Sequence, residues 1–212
     1  PGQLYTGSPA DFAVTTQAKI DLVTAYNFLA SQPPTALLAP QLGGLTLTPG
    51  VYKITSGALL TGQLTLDGQG NPNARFIFQI GSTLTTASGS SVVLINGAQG
   101  GNVFFRVGSS ATLGTTTSFA GDILAQASIT LNTAANITCG AAWARTGAVT
   151  LDTNNISICS PLAAPVGPVV PLGPSGVPLV AFLLPASADR SQRAVANAIA
   201  STPAAAASPI HH

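Results

Sequence analysis

Asp122–Gly140, DILAQASITLNTAANITCG, and Ala141–Cys159, AAWARTGAVTLDTNNISIC, read as two copies of one unit. They are equal in length; Arg145 is matched to Gln126 at a spacing of 19 residues, and Thr150 to Thr130, Leu151 to Leu131 and Thr153 to Thr133 at 20. Asn102–Gly121, NVFFRVGSSATLGTTTSFAG, joins them once short insertions are allowed, and Arg75–Gly101 and Val51–Ala74 follow more loosely. A period of about twenty residues, with strand-like alternation and no helix inside the repeat, describes a solenoid whose turns are β-coils. The fold class is therefore mainly β.

Alternation in the first strand of each unit points Phe76, Phe78 and Ile80, then Val103, Phe105 and Val107, then Ile123, Ala125 and Ala127 into a core. Between them Ile77, Phe104, Leu124 and Trp143 face outward as a large apolar column, which needs a cover. The chain supplies one. Ser8-Pro9-Ala10-Asp11 is a helix start with Ser8 as cap and Pro9 in the first turn. Val14, Ala18, Leu22, Ala25 and Leu29 then form one apolar stripe, and Pro33-Pro34 ends it. This predicts a single long α-helix over about residues 9–31, packed along that column. The alternative is an exposed aromatic strip that binds sugar.

The second strand of each unit points Leu64/Leu66, Ala111/Leu113, Ile129/Leu131 and Val149/Leu151 inward. Thr65, Thr83, Thr112, Thr130 and Thr150 are expected to stack outward, with Asp67, Thr85, Gly114, Asn132 and Asp152 beside them. Thr86, Thr115, Thr133 and Thr153 form a further series past the corner. Threonine is a good strand former and its hydroxyl serves corners, which accounts for scattered threonines better than for one column filled five times.

Only 6% of the 212 residues are charged, against roughly 25% in typical soluble domains, and the net charge is +1. The charges are scattered, so neither nucleic acid nor an anionic membrane surface is an expected partner. The longest apolar run, Val177 to Leu184, is short and broken by Pro178. There is no Met and the chain opens on Pro1, the pattern of a processed form or a fragment. Cys139 and Cys159 sit near the ends of consecutive coils. Neighbouring strands lie about 4.7–4.9 Å apart, inside the roughly 4.4–6.8 Å Cα separation that a disulfide accepts. Two buried free thiols are the other reading; a bond implies an oxidising location and hence a secreted protein. Residues 1–160 make the solenoid domain with its helix. After Ser160 the periodicity stops, and residues 161–212 are expected to be a Pro- and Ala-rich tail, disordered or loosely docked.

Catalytic chemistry is hard to assemble from this chain. The histidines are His211 and His212, the last two residues, which leaves no nucleophile–base pair or zinc site, and no phosphate loop occurs. Asp67 and Asp152 are expected in one column but three coils apart, on the order of 14 Å, beyond the roughly 5–9.5 Å of paired glycosidase carboxylates. The expectation is a protein that is not an enzyme and uses no cofactor.

Gly43–Tyr52 (GGLTLTPGVY), the run from Asn71 to Gly121, and Ile129–Ser157 together resemble the secreted ice-binding proteins of cold-living bacteria, fungi and algae. The resemblance implies a discontinuous, triangular, right-handed β-solenoid carrying one long α-helix. It also implies a flat ice-binding face, on which some members present T-A/G-x-T/N segments. Thr133-Ala134-Ala135-Asn136 matches that pattern, and Thr115-Thr116-Thr117-Ser118 and Thr86-Ala87-Ser88-Gly89 match it in part. Thr153-Asn154-Asn155-Ile156 departs from it. The candidate ice-contacting residues are Thr65, Thr83, Thr85, Thr86, Thr112, Thr115, Ser118, Thr130, Asn132, Thr133, Asn136, Thr150 and Thr153. The implied partner is an ice or water surface, met by a monomer. An extracellular structural or adhesive module that binds carbohydrate or protein is the competing reading. Family members carry further strands ahead of the helix that complete one end of the solenoid, so the resemblance implies that those coils are missing from this chain.

Overall fold

The computed structural model describes residues 9–159, which form one helix and six β-coils. Coil 1 carries β1 (Ala36–Leu37) and β2 (Thr46–Leu47). Coil 2 carries β3 (Gly50–Ile54), β4 (Ala58–Leu60) and β5 (Gln63–Asp67), and coil 3 carries β6 (Phe76–Ile80), β7 (Leu84–Thr86) and β8 (Ser91–Ile95). Coil 4 carries β9 (Val103–Val107), β10 (Ala111–Leu113) and β11 (Ser118–Ala120). Coil 5 carries β12 (Asp122–Ala125), β13 (Ile129–Leu131) and β14 (Asn136–Thr138), and coil 6 carries β15 (Ala142–Ala144), β16 (Val149–Thr150) and β17 (Asn155–Ser157).

Successive strands go to three different parallel sheets. Sheet A has the order β1-β3-β6-β9-β12-β15, sheet B β4-β7-β10-β13-β16, and sheet C β2-β5-β8-β11-β14-β17. Each residue therefore lies beside its counterpart one coil away, and inward side chains form continuous stacks. Tyr52, Phe78 and Phe105 lie ring on ring, with centroids 5.5 and 4.4 Å apart, and Phe119 tilts against Phe105 at 4.7 Å. Leu60, Leu84 and Leu113 fill the sheet B side of the same core. Offset stacking adds to what burial of these rings already contributes. This agrees with the mainly-β, coiled architecture expected from the repeat.

Equal length conceals a compensation in the last two coils. Leu124 pairs with Trp143, Thr130 with Thr150 and Asn136 with Asn155. Coil 6 thus gains one residue at the corner from sheet A to sheet B and loses one at the next corner. Arg145, Thr150 and Leu151 fall where the repeat places them. Thr153, however, comes level with Ala134 rather than Thr133, and both take the left-handed conformation, with φ of 53° and 57°.

The helix α1 spans Pro9–Ser31; Ser8 and the tail of residues 161–212 lie outside the described residues. No helix among the described residues is long and apolar enough to cross a membrane. Leu22, Ala25, Tyr26 and Leu29 pack against Val51, Ile77, Phe104 and Leu124 of sheet A. Sequence reading missed two anchors of this seat. Tyr26 is buried, its hydroxyl donates to the Val107 carbonyl at 3.0 Å, and its ring lies between the guanidinium groups of Arg106 and Arg145, at 4.3 and 4.5 Å. Gln79, also buried, donates from Nε2 to the carbonyls of Leu29 at 2.8 Å and Gln32 at 2.7 Å. These are carbonyls that a helix end leaves without partners.

The cover is shorter than the stripe predicts. Val14 is 47% exposed, Ala18 is exposed, and Trp143 is 48% exposed. The outward apolar residues of sheet A do not form one straight column. Ile77 pairs with Phe104, but Phe104 pairs with Asp122, and Leu124 stands beside Arg106 and Trp143. Coil 5 thus shifts its apolar residue to the adjacent outward column, and Trp143 stands in that second column.

Candidate functional site

Sheet B lies on a different side of the core from the helix-bearing sheet A. Its strands are short and paired in register, so each contributes one central outward residue: Leu59, Thr85, Thr112, Thr130 and Thr150, in coil order. The flanking residues Leu84, Ala111, Leu113, Ile129 and Leu131 are buried and hold the backbone against the core. One residue earlier, Thr83, Ser110 and Ser128 form a second column: the Leu84 N–H donates to the Ser110 carbonyl and the Ala111 N–H to the Ser128 carbonyl. The spacing along each column is that of neighbouring strands, about 4.7–4.9 Å.

At the corner from sheet B to sheet C the exposed hydroxyls continue. Ser91 pairs with Ser118, Ser118 with Asn136, and Asn136 with Asn155, and each opens its strand of sheet C. Counting back from these pairs brings Ser88, Thr115 and Thr133 level with one another, all exposed. Asn132 comes level with Gly114, and Asp152 with Thr133. The Thr133 hydroxyl donates to the Asp152 carboxylate at 2.6 Å. The threonine, serine and asparagine residues of these columns carry no charge, so the array presents hydroxyls, methyls and amides.

The structure thus brings together Thr85, Thr112, Thr130 and Thr150, with Thr83 one column over and Thr115, Thr133, Asn132, Ser118 and Asn136 around the adjoining corner. Three of the sequence-derived candidates stand elsewhere. Thr86 is 3% exposed and points inward, level with Leu60 and Leu113, because Leu84 points in and the alternation returns inward two residues later. Thr65 belongs to sheet C, between Thr46 and Val93. In coil 2 only Thr61 and Gly62 separate β4 from β5, so ALLTGQLTLD reads as one strand when it turns a corner. Leu64 and Leu66 move to sheet C with Thr65, and the outward place in sheet B falls to Leu59. Thr153 is displaced by the shorter corner of coil 6. Asp67 does not share a column with Asp152: it ends β5 in sheet C, and its carboxylate accepts from the Gln69 N–H and from Asn96 Nδ2 just past β8. Ser88, Ser91, Ser110, Ser128 and Asn155 were missed, although their registers follow once each strand is assigned to its sheet.

Cys139 and Cys159 are joined as a disulfide between coils 5 and 6. Among the described residues no group of three or more His, Cys, Asp or Glu side chains is placed to hold a metal ion.

The described residues thus form a three-sheeted β-solenoid with a helix on one side and uncharged hydroxyls on another. Residues 1–157 match the family described as ice-binding-like, and the chain belongs to that family. It is 63% identical over 157 residues to an ice-binding protein of Nostoc sp. (strain HG1), a match that covers 74% of this chain and 56% of the relative. It is 45% identical over 151 residues to ice-binding protein 1 of Shewanella frigidimarina, covering 68% of this chain and 17% of that protein. Among solved structures, an ice-binding protein from the Antarctic ascomycete Antarctomyces psychrotrophicus superposes with a TM-score of 0.65 at 42% identity, covering 69% of this chain and 72% of that one. A domain of the Shewanella protein superposes with a TM-score of 0.68 at 40% identity, covering 74% and 69%. The chain therefore spans about half, or less, of the two relatives matched by sequence.

Proposed function

We propose that this chain adsorbs to ice through the outward face of sheet B and its corner with sheet C, slowing ice growth and recrystallisation without catalysis. The observation that carries this reading is the in-register column Thr85, Thr112, Thr130 and Thr150 on a side of the core that the helix leaves open. Its repeat of about 4.7–4.9 Å is close to an oxygen repeat of the ice lattice. Threonine methyls hold neighbouring water in an ordered layer, and the hydroxyls tie that layer to the crystal. Each contact is weak, but the sheet is already rigid, so little ordering entropy is lost when many form together. The Cys139–Cys159 bond supports an oxidising compartment and a secreted protein.

Thermal hysteresis of Thr130→Tyr tests the face. A bulky ring in the middle of the plane is expected to lower hysteresis sharply while circular dichroism and melting temperature stay near those of the parent. Equal hysteresis in the two proteins removes this face from the account.

The adhesive reading draws on Trp143, which is half exposed, but Phe104 is packed under the helix and one ring does not make a strip. Uptake of labelled protein into a growing ice hemisphere separates the two readings, since an adhesive module is excluded from the ice.

A further inference from the structure

Beneath the corner between sheets B and C lies a row of buried polar side chains that the ice-face reading does not use. In coil 4, Thr117 is fully buried and Thr86 of coil 3 nearly so, and their hydroxyl oxygens are 2.7 Å apart. The Thr117 hydroxyl donates to the Ala87 carbonyl at 3.3 Å, and the Gly114 N–H donates to Thr86 Oγ1 at 2.8 Å. With the Thr117 proton directed to Ala87, Thr86 donates across the pair, so each hydroxyl both donates and accepts. One coil earlier, Ser90, 1% exposed, donates to the Leu60 carbonyl at 2.8 Å and accepts from the Gly62 N–H at 3.3 Å. In coil 6 the equivalent residue, Asn154, is only half-buried and donates to the carbonyls of Asn132 and Ala135 at 2.8 and 2.7 Å. Coil 5 has Ala135 at the equivalent place, so the row has one gap.

These rungs sit under a strained backbone. Thr116 has φ of 57°, a conformation that β-branched residues rarely adopt. Such a residue persists only where its surroundings over-determine it. Thr116 stands between Thr115 and the buried Thr117, and Ser118 follows, so the three peptide units of this corner aim the exposed hydroxyls.

We infer that Thr117, through its bond to Thr86, is a positioning residue: it holds the left-handed corner so that Thr115 and Ser118 stay in the plane presented by the threonine columns. This rests on the ice-face reading for its consequence, though not for its geometry. Thr117→Val keeps the volume and removes the hydroxyl, whereas Thr117→Ser keeps the hydroxyl.

The test is amide hydrogen exchange together with thermal hysteresis, both measured near freezing where circular dichroism shows the variants folded. Thr117→Val should raise exchange at Gly114, Thr116 and Ser118 by about tenfold or more, the mark of a local opening, with Ile123 and Leu124 unmoved. Hysteresis should fall below half. Thr117→Ser should restore both. Unchanged corner exchange in Thr117→Val overturns the inference, and so does a Thr117→Ser that behaves like it. If exchange rises while hysteresis holds in Thr117→Val but falls in Thr130→Tyr, the corner is not needed for ice and the inference also fails. If hysteresis holds in both variants while exchange rises, the positioning role stands and the ice-face reading fails. Should Thr117→Val not fold, Ser90→Ala takes its place one rung earlier, read at Gly62 and Gly89: faster exchange there supports the inference, and unchanged exchange overturns it.

Discussion

Cys139 directly follows the last strand of coil 5 and Cys159 comes just after the last strand of coil 6, so their bond ties coil 6 to the solenoid. A bond closing a loop of this size stabilises by roughly 3 kcal/mol on the chain-entropy account. In a repeat architecture each coil leans on its neighbours alone, so loss of the bond is felt first at that end. Replacing both cysteines by alanine is expected to speed amide exchange in β15–β17 while β6 and β9 keep their protection, and to lower the melting temperature. Uniform loss of protection through all six coils would show that they unfold as one unit and that the bond is no local staple. The same scale holds the Thr130 and Thr117 experiments, where a single hydroxyl or ring is changed on a backbone meant to stay put.

At the scale of elements, α1 and sheet A depend on each other. The helix brings Leu22, Ala25, Tyr26 and Leu29 to a surface that would otherwise expose Ile77 and Leu124. Tyr26 does more than fill space, since it reaches the Val107 carbonyl and separates two guanidinium groups. Leu22 is only half-buried, while Tyr26 is 3% exposed. Tyr26→Ala should therefore cost about 3–5 kcal/mol, as for other large buried rings, and Leu22→Asp less, about 1–3 kcal/mol. Urea unfolding of the two variants gives the order. A Leu22→Asp cost equal to or above that of Tyr26→Ala would mean that the seat is centred on the apolar stripe rather than on the tyrosine. Neither change touches sheet B, so hysteresis measured on folded protein should match the parent.

At the scale of the whole coil stack, the coil 6 end is unlike the middle. Val149 and Leu151 flank Thr150 in the inward register of coil 6, yet they are 37% and 54% exposed, since coil 6 is the last coil among the described residues. Trp143 belongs to the same end and is the single tryptophan of the chain. Its emission therefore reports on that end without interference. In the folded protein acrylamide should quench it appreciably, to an extent between that of free indole and that of a buried ring. Leu22→Asp should leave the quenching unchanged, because Trp143 stands outside the helix seat. Quenching at the level of a buried indole would show that other residues cover coil 6, and would also close the adhesive reading.

The amino-acid sequence by itself determined the repeat, the inward and outward alternation of each strand, the single helix, and the placement of Cys139 and Cys159 near the ends of consecutive coils. All of these follow from local periodicity or from the placement of residues within one repeat. Only the tertiary structure decided which coil residue stands beside which. A side chain changes face with every residue, so a one-residue difference in corner length exchanges the buried set for the exposed set. The corner between sheets B and C has two residues in coil 2, Thr61 and Gly62, and four in coil 4, Gly114 to Thr117; in coil 6 three, Asp152 to Asn154, follow Leu151, the counterpart of Leu131 at the end of β13. No local pattern announces those lengths. They follow from which inward residues can stack on the coil below, and that contest put Thr86 inside, Thr65 on sheet C and Thr153 level with Ala134. Tyr26 was hidden for a similar reason: it lies just off the apolar stripe, and its partners Val107, Arg106 and Arg145 are assembled from two different coils.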